Sequence, residues 1–170
     1  GSEMCIRDSI PDNPNQAYDM YEVIGTIIDN GEFLEVHADY AKNIIVGFAR
    51  FNGQTVGIVA NQPKVMAGCL DSNASRKPGR FVRFCDAFSL PVVTFVNCPG
   101  FESIKSATKA SAAYAEATTV KISVVTGKAI GSGYVALAGT GANADVVYAL
   151  PDAVISPVNV EAAAFIMAVS

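Results

Sequence analysis

The chain has 170 residues, of which 51% are hydrophobic, and its formal net charge is −4. A chain of this length and apolar content can bury a substantial core as one domain, which argues against disorder. The acidic balance and the lack of any Lys or Arg run give no electrostatic reason to expect nucleic acid or an anionic membrane surface as a partner. No apolar run is long enough to span a bilayer and no signal-peptide pattern is visible, so we expect a cytoplasmic protein.

The cysteines and the single histidine do not form a metal-site pattern. The cysteines are widely spaced without a CxxC pair, and His37 lacks an HExxH context. This favours a reducing compartment and no metal, with His37 more often structural than catalytic. We expect Cys69, Cys85 and Cys98 to be small buried hydrophobic residues. Cys98 has no His partner nearby in sequence, so no nucleophile is predicted there. The four are Cys5, Cys69, Cys85 and Cys98.

Both ends of the chain differ from the rest. Residues 1–9, GSEMCIRDS, resemble a tag remnant joined to adapter-derived sequence, so we exclude them and expect native sequence from about Ile10. Residues 160–170, VEAAAFIMAVS, read as an apolar helix start without a C-cap glycine. We therefore interpret residues 10–170 as one domain and as a fragment of a longer subunit.

The first half of the chain predicts a helix followed by a hairpin. Asp19 and Glu22 form a plausible N-cap and capping box for an amphipathic helix that ends at Gly31. Two β-type runs, 44–51 and 55–60, are joined by Asn52-Gly53, which is a strong hairpin signal.

The middle of the chain predicts a helix, a buried strand and a second helix. Apolar residues recur at helical spacing over 81–88, and Pro78-Gly79 should delay the start of that helix to about residue 78. The strand 91–97 follows at once and ends in a glycine turn at 98–101. The Ala-rich stretch 103–118 then predicts a helix. The recurring apolar residues are Phe81, Phe84, Cys85 and Phe88.

A second strand-to-glycine junction follows this helix. The β-branched run 120–126 predicts a strand that ends in a turn at Gly127, and Gly131, Ser132 and Gly133 precede the helix-compatible YVALAG. Glycine allows close approach, and the first N–H groups of a helix lack intrahelical partners, so this junction predicts an oxyanion hole. The alternative is that Gly131 and Gly133 only allow the helix to pack closely against the strand.

The order of these elements predicts an α/β layer architecture with parallel crossovers, completed by short apolar runs at 146–150 and 153–156. No GxGxxG follows the first strand and no GxxxxGK[ST] is present, so nucleotide binding is unsupported. We expect four lysines to be solvated, namely Lys105, Lys109, Lys121 and Lys128.

Five segments stand in order along residues 10–165: VGFARFNGQTVGIVANQP, AGCLD, RFVRFCDAFSLPVVTFVNCPGF, AYAEAT and GKAIGSGY. Together they closely resemble the C-terminal half of the carboxyltransferase subunits of biotin-dependent acyl-CoA carboxylases. That group includes the propionyl-CoA carboxylase β chain and the methylmalonyl-CoA decarboxylase α chain. The resemblance implies a crotonase-like ββα spiral, in which this chain is the half that receives carboxybiotin.

The resemblance also implies a reaction and a set of site residues. A carboxyl group moves between N1 of biotin and the α-carbon of an acyl-CoA, so negative charge develops on an enolate oxygen and on the biotin ureido oxygen. Departing biotin can take the substrate proton, so no side-chain nucleophile is needed. The implied donors are the backbone N–H groups of Gly131, Ser132 and Gly133, assisted by Gly100 and Phe101. The implied carboxybiotin contacts are Pro99, Gly100, Phe101, Tyr134 and Val135.

This sequence departs from the family pattern at three places. Members usually have Gly-Gly-Ala where Gly131-Ser132-Gly133 stands, and many have Asp in place of Val135. The segment 102–113 is several residues shorter than in members with a glycine-rich stretch there. The acyl group and the direction of transfer are therefore left open.

The implied partners are the acyl-CoA-binding N-terminal half of the same subunit, a biotin carboxyl carrier protein, and biotin carboxylase or decarboxylase subunits. We expect a homo-oligomer, and we expect the isolated chain to be inactive because acyl-CoA recognition belongs to the other half. The alternatives are a crotonase-fold assembly module without turnover, a biotin-dependent decarboxylase subunit, and, less favoured, a divergent hydratase or isomerase.

Overall fold

The computed structural model describes residues 6–13, 15–100, 103–133, 136–137 and 144–156. A seven-stranded mixed sheet runs through it, and three helices pack on the sheet. The helices are α1 (Met20–Gly25), α2 (Ser72–Ala87) and α3 (Ile104–Glu116). The strands are β1 (Leu34–Glu35), β2 (Ile44–Phe51), β3 (Gln54–Asn61), β4 (Val92–Cys98), β5 (Lys121–Ile130), β6 (Val146–Ala149) and β7 (Val154–Ser156).

The strand order is β1-β2-β3-β4-β5-β6, and β7 pairs with β5 beyond the end of β6. Pairing is antiparallel for β1 with β2 and for β2 with β3. The pairs β3 with β4, β4 with β5, and β5 with β6 and β7 are all parallel. The predicted α/β architecture with parallel crossovers is therefore confirmed.

Each face of the sheet carries its own buried cluster, which explains why the strands read as continuous apolar runs. On one face, Val46 and Val59 pack with Val82 of α2 and Tyr114 of α3. On the other face, Ile45 and Ile58 pack with Val23 and Ile24 of α1. Ile6, from the stretch that we interpret as adapter-derived, is also buried in the second cluster, so it contributes to packing whatever its origin.

The hairpin is confirmed at its predicted place. Asn52 and Gly53 both have positive φ, 50° and 80°, as a two-residue turn with the twist of its strands requires. The sequence predicted that α1 would end at Gly31, but the helix ends at Gly25. The contacts of Asp29, which follows this end, show where the chain goes next. Its carboxylate accepts the N–H groups of Asn52 (3.0 Å) and Gly53 (2.7 Å), so the chain leaves the helical path to reach the hairpin.

Helix α2 begins at Ser72, six residues before the predicted start, and Pro78 lies inside it. Asp71 supplies the N-cap, because its Oδ1 accepts the Ala74 N–H at 2.8 Å. An interior proline disfavours a helix. Here Pro78 is buried on the packed face of α2, together with Ala74 and Val82. We infer that this burial outweighs the local penalty, which is why the local rule gave the wrong boundary.

Two lysines are buried where their ammonium groups cap backbone carbonyls. The prediction that Lys121 is solvated is wrong, because its Nζ donates to the carbonyls of Tyr114 and Ala117 at the end of α3. Lys77 is only 4% exposed. Burial lowers the pKa of its ammonium group. The other three predicted surface lysines are exposed (Lys105 and Lys109) or partly exposed (Lys128).

Lys77 connects α2 to the loop that leads into β2. Its Nζ donates to the carbonyl oxygens of Tyr40 (2.7 Å), Ala41 (3.4 Å) and Ile44 (2.8 Å). We expect Lys77→Met to keep the apolar stem and to lower the free energy of unfolding by about 2 kcal/mol, because these carbonyls lose their donor. The melting temperature should fall by roughly 4 to 8 °C.

The control for this change is Lys105→Met on the exposed face of α3, which should alter stability by no more than about 0.5 kcal/mol. Thermal melting followed by circular dichroism compares the two variants. Equal melting temperatures for Lys77→Met and Lys105→Met would contradict the capping role.

Candidate functional site

Parallel pairing of β4 with β5 brings the two predicted glycine turns to the same edge of the sheet. β4 ends at Cys98 and continues into Pro99 and Gly100, while β5 ends at Ile130 and continues into Gly131. Carboxyl ends of parallel strands are the usual place for ligands in α/β sheets. Of the predicted site residues, Phe101, Tyr134 and Val135 lie outside the described residues.

The two turns approach each other at positions without side chains. A Cβ built on Gly100 would lie 3.8 Å from Oγ of Ser132. A Cβ built on Gly133 would lie 2.9 Å from the carbonyl oxygen of Cys98 and 3.0 Å from its Sγ. Gly133 is therefore needed for close packing against the end of β4. Such packing is the alternative to an oxyanion hole that the sequence left open for this residue.

Gly131 shapes the end of β5. Its φ of 56° lies in the left-handed region that favours glycine, and its N–H donates to the carbonyl oxygen of Ser156 in β7 at 2.8 Å. That donor is used within the fold. Ser132 and Gly133 follow in helical conformation. Gly131 is therefore the residue that turns the chain, and Ser132 and Gly133 follow it at the predicted place, where a strand passes into a helical segment.

The prediction that Gly127 forms a turn is wrong, because β5 runs through it to Ile130. A Cβ on Gly127 would lie 2.7 Å from both Cγ and Oδ1 of Asn97, so this glycine makes room for a side chain of the neighbouring strand. The sequence pattern could not show this, because the contact joins residues of two different strands.

A small groove opens beside the turn, between α3 and Ser132, with a volume of about 280 Å³. The described residues that form its walls carry hydroxyl and methyl groups, and none of them is charged. The volume lies just below the roughly 300 to 1,000 Å³ of pockets for drug-sized ligands. The lining residues are Ala107, Thr108, Ser111, Ala112, Ala115, Ser132 and Ala136.

Sequence reasoning missed a third loop that reaches the same edge. Met66, Ala67 and Gly68 all have positive φ, at 51°, 52° and 83°. A Cβ on Gly68 would lie 2.3 Å from the Asn97 carbonyl oxygen and 3.7 Å from Cδ of Pro99. The loop is fixed to the Pro99–Gly100 turn, because the Leu70 N–H donates to the Gly100 carbonyl at 3.2 Å. Three successive residues in this sparsely populated region are a feature often found at functional sites.

The buried thiols are poorly suited to nucleophilic chemistry. Burial raises the pKa of the Cys98 thiol to about 12, and burial does the same for Cys85. The Cys98 Sγ donates to the Gly100 carbonyl at 3.3 Å, so it stabilises the turn as a neutral group. The described residues contain no group of three or more His, Cys, Asp or Glu side chains that could hold a metal ion.

A larger groove, of about 710 Å³, lies between β2 and α2. It includes His37, which has a φ of 54°, and it shares no lining residue with the groove beside Ser132. In the part of the chain that the structure describes, no helix is long and apolar enough to cross a membrane.

The sequence matches the family described as "Carboxyl transferase domain" over residues 2–169. The chain belongs to this family. It is 53% identical over 155 residues to the methylmalonyl-CoA decarboxylase subunit alpha of Veillonella parvula, covering 86% of this chain and 30% of that protein. It is 49% identical over 167 residues to the propionyl-CoA carboxylase beta chain of Cereibacter sphaeroides, covering 93% of this chain and 33% of that protein.

Among solved structures, the carboxyl transferase domain resembles a transcarboxylase 12S structure with hydrolysed methylmalonyl-coenzyme A bound. The TM-score is 0.91 at 45% identity, covering 98% of this chain and 34% of that one. The beta subunit of Pseudomonas aeruginosa geranyl-CoA carboxylase shares the fold, with a TM-score of 0.85 at 23% identity. The crotonase-like fold predicted from the sequence is thereby confirmed. The chain spans about a third of the length of these relatives.

The close approach of Gly133 to Cys98 generates a stability prediction. Gly133→Ala should lower the free energy of unfolding by roughly 1 to 3 kcal/mol, because the added Cβ meets a backbone oxygen that cannot rotate away. Gly79→Ala is the matched control, since a Cβ there lies 3.6 Å from the Ala113 Cβ, an ordinary contact between α2 and α3. The control should be neutral or more stable by about 0.5 to 1 kcal/mol. Thermal melting that ranks the two variants in the opposite order would refute the packing role.

The raised pKa of Cys98 generates a labelling prediction. With a pKa of about 12, about one Cys98 thiol in ten thousand is ionised at pH 8, so iodoacetamide should modify it very slowly in the folded protein. Cys69 is partly exposed and not buried as the sequence predicted, so it should react faster than Cys98. Peptide mapping by mass spectrometry over time measures both rates. Modification of Cys98 as fast as Cys69 would show that its thiol is not held neutral and buried.

Proposed function

We propose that this chain is the carboxybiotin-side half of a carboxyltransferase subunit, which acts in carboxyl transfer between carboxybiotin and an acyl-CoA. The observation that carries the proposal is the meeting of the Pro99–Gly100 and Gly131–Gly133 turns at one edge of the sheet. Membership of the carboxyl transferase domain family supports it.

The residues at this edge fit an uncharged ureido ring carried by a partner protein. The groove beside Ser132 is lined by Ala, Ser and Thr side chains, and Gly100 adds no side chain that would block it. Carboxybiotin, when bound, supplies the carboxyl group at N1 and accepts the α-proton of the acyl-CoA in exchange. The acyl-CoA thus loses a proton from its α-carbon and gains a carboxyl group there, so the exchange is balanced without an enzyme-bound nucleophile.

The backbone supplies what the chemistry needs from this half. The N–H groups of Ser132 and Gly133 lie in the first helical residues after β5, and in our proposal they donate to the ureido oxygen as negative charge develops on it. Gly131 contributes its left-handed conformation, and Pro99 and Gly100 form the facing turn. Phe101, Tyr134 and Val135, which lie outside the described residues, are kept as proposed carboxybiotin contacts from the family resemblance alone. Buried neutral thiols such as Cys98 take no part in bond making.

The partners follow from the same proposal. Acyl-CoA is bound by the N-terminal half of the subunit, carboxybiotin arrives on a biotin carboxyl carrier protein, and a biotin carboxylase or decarboxylase subunit completes the cycle. Homo-oligomer formation is supported by two exposed aromatic rings at the C-terminal end of α2: Phe84 is 49% exposed and the C-cap residue Phe88 is 66% exposed, and their ring centroids lie 4.8 Å apart. A transcarboxylase 12S structure similar to this chain describes a hexamer assembly.

A decarboxylase is the second candidate, favoured by the 53% identity to a methylmalonyl-CoA decarboxylase alpha subunit. It would use the same site in the opposite direction, from acyl-CoA to biotin. The cytoplasmic location expected from the sequence and the fragment interpretation both stay predictions.

Two substitutions at one position test whether the backbone of the turn is the catalytic donor. Ser132→Ala removes the hydroxyl and keeps the N–H, so we expect carboxyl transfer by the complete subunit to fall by only about threefold or less. Ser132→Pro removes the N–H itself at the first helical residue, where proline is tolerated. We expect kcat to fall by roughly 100- to 1000-fold.

Thermal melting of both variants controls for folding. An inactive but normally folded Ser132→Ala would identify the hydroxyl as a nucleophile and overturn the backbone assignment. Full activity of a folded Ser132→Pro would also overturn the backbone assignment, because the N–H group is absent from that variant.

A further inference from the structure

The ladder between β4 and β5 is interrupted just before the glycine turn. Register is regular up to Val96 opposite Val125, and the next pair is Cys98 opposite Ala129. One residue of β4, Asn97, therefore faces three residues of β5, namely Thr126, Gly127 and Lys128. β5 bulges here, and bulges of this kind re-aim the chain beside functional sites.

The carboxamide of Asn97 fills this bulge. Its Oδ1 accepts the Lys128 N–H at 3.0 Å, in place of a backbone carbonyl of β4. Its Nδ2 donates to the hydroxyl oxygen of Tyr18 at 3.1 Å. The Tyr18 hydroxyl lies 2.7 Å from Oγ1 of Thr126, which in turn donates to the Val96 carbonyl at 3.3 Å. The chain of hydrogen bonds thus closes around the bulge from both strands.

Of the side chains of this size, only an amide can make both hydrogen bonds of Asn97 in the observed directions. One atom must accept from the Lys128 backbone and the other must donate to Tyr18. Gly127 completes the fit, because a Cβ there would lie 2.7 Å from Cγ and Oδ1 of Asn97. The backbone of Asn97 is fixed as well, since its N–H donates to Oδ1 of Asn61 at 3.1 Å.

The bulge is also where β5 changes partner. Up to Val125 it pairs with β6, and from Lys128 it pairs with β7. The pair of Ile130 with Ser156 and the bond from the Gly131 N–H to the Ser156 carbonyl then follow directly. The position at which β5 leaves the sheet is therefore set three residues earlier, by the contact of Lys128 with Asn97.

We propose that Asn97 is a positioning residue for the reaction, acting through the Lys128 N–H to place the backbone of Ser132 and Gly133 opposite the Pro99–Gly100 turn. This inference rests on the proposed function. The side-chain hydrogen bonds of Asn97 go to Lys128 and Tyr18, so the proposal gives it a role through the backbone and no contact with the reacting atoms. Its removal should displace the donors while leaving the acyl-CoA half of the subunit unaltered, and a displacement of about 1 Å can cost about 100-fold in rate.

The test uses the complete subunit and measures carboxyl transfer. We expect Asn97→Ala to lower kcat about 100-fold while KM for the acyl-CoA stays within about threefold. Asn97→Asp keeps the acceptor for Lys128 and should restore kcat to within about tenfold of the unsubstituted protein.

Thr94→Val is the matched control. Thr94 lies three residues earlier in β4, and its Oγ1 makes a buried 2.7 Å hydrogen bond with the Tyr114 hydroxyl, away from the bulge. It should lower the melting temperature by an amount similar to Asn97→Ala and keep kcat within about threefold. An equal loss of kcat in Asn97→Ala and Thr94→Val would assign Asn97 a structural role only and overturn the proposal.

A second pair of variants keeps the test independent of how well Asn97→Ala folds. Gly127→Ala pushes on the carboxamide from the other side, so it should also lower kcat. The double variant, with both Asn97→Ala and Gly127→Ala, should be no slower than Asn97→Ala alone, because the group that Gly127→Ala would displace is gone. If the fold-loss of kcat in the double variant equals the product of the losses in the two single variants, the two residues do not act through the same carboxamide.

Hydrogen–deuterium exchange separates this inference from the proposed function. Deuterium uptake in the peptide that covers residues 126–133 should accelerate in Asn97→Ala and stay unchanged in Thr94→Val. If the unsubstituted subunit carries out no carboxyl transfer, the proposed function is wrong whatever the exchange shows. If transfer is normal in the unsubstituted subunit and exchange in this peptide is unaltered by Asn97→Ala, the positioning role is wrong.

Discussion

The parallel pairing of β4 with β5 is the constraint on which the candidate site depends. It places both carboxyl ends at one edge and sets the spacing at which two backbone turns can meet. At that spacing a side chain on Gly133 would collide with the Cys98 carbonyl, and one on Gly127 would collide with the Asn97 carboxamide. Glycine at these positions is thus a consequence of how closely the two strands and their turns approach each other.

Buried polar groups hold the rest of the fold in register with that pair of strands. Lys77 binds carbonyls ahead of β2, Lys121 binds carbonyls at the end of α3, and the Thr94 hydroxyl binds that of Tyr114 across β4 and α3. Within the described residues, no buried side-chain nitrogen or oxygen is left without a partner. Such bonds are directional, so they fix how each helix lies on the sheet, whereas the apolar contacts around them supply most of the free energy.

A site built from backbone donors has consequences for how this chain can vary. In our proposal the side chain at position 132 can change as long as the N–H remains. Asn97 and Gly127 fit one another, so we expect them to change together. The acyl group is chosen elsewhere in our proposal, which agrees with the range of acyl-CoA names among the relatives that share this domain.

Local features were determined by the sequence alone. Asn52-Gly53 dictates its hairpin because both residues tolerate positive φ, and the Ala-rich stretch predicted as a helix forms α3, with Ser103 as its N-cap. The ordered motifs indicated the carboxyl transferase fold and the two turns, because their spacing along the chain is itself the signal. Tertiary structure decided the conformation wherever the local preference of a residue conflicted with a contact from a distant part of the chain. Pro78 lies within a helix and Gly127 within a strand because buried neighbours outweigh their local preferences, and the Gly131 N–H is used by Ser156. The bulge at Asn97 joins residues up to 108 positions apart in sequence, and no local pattern can encode a contact at that separation.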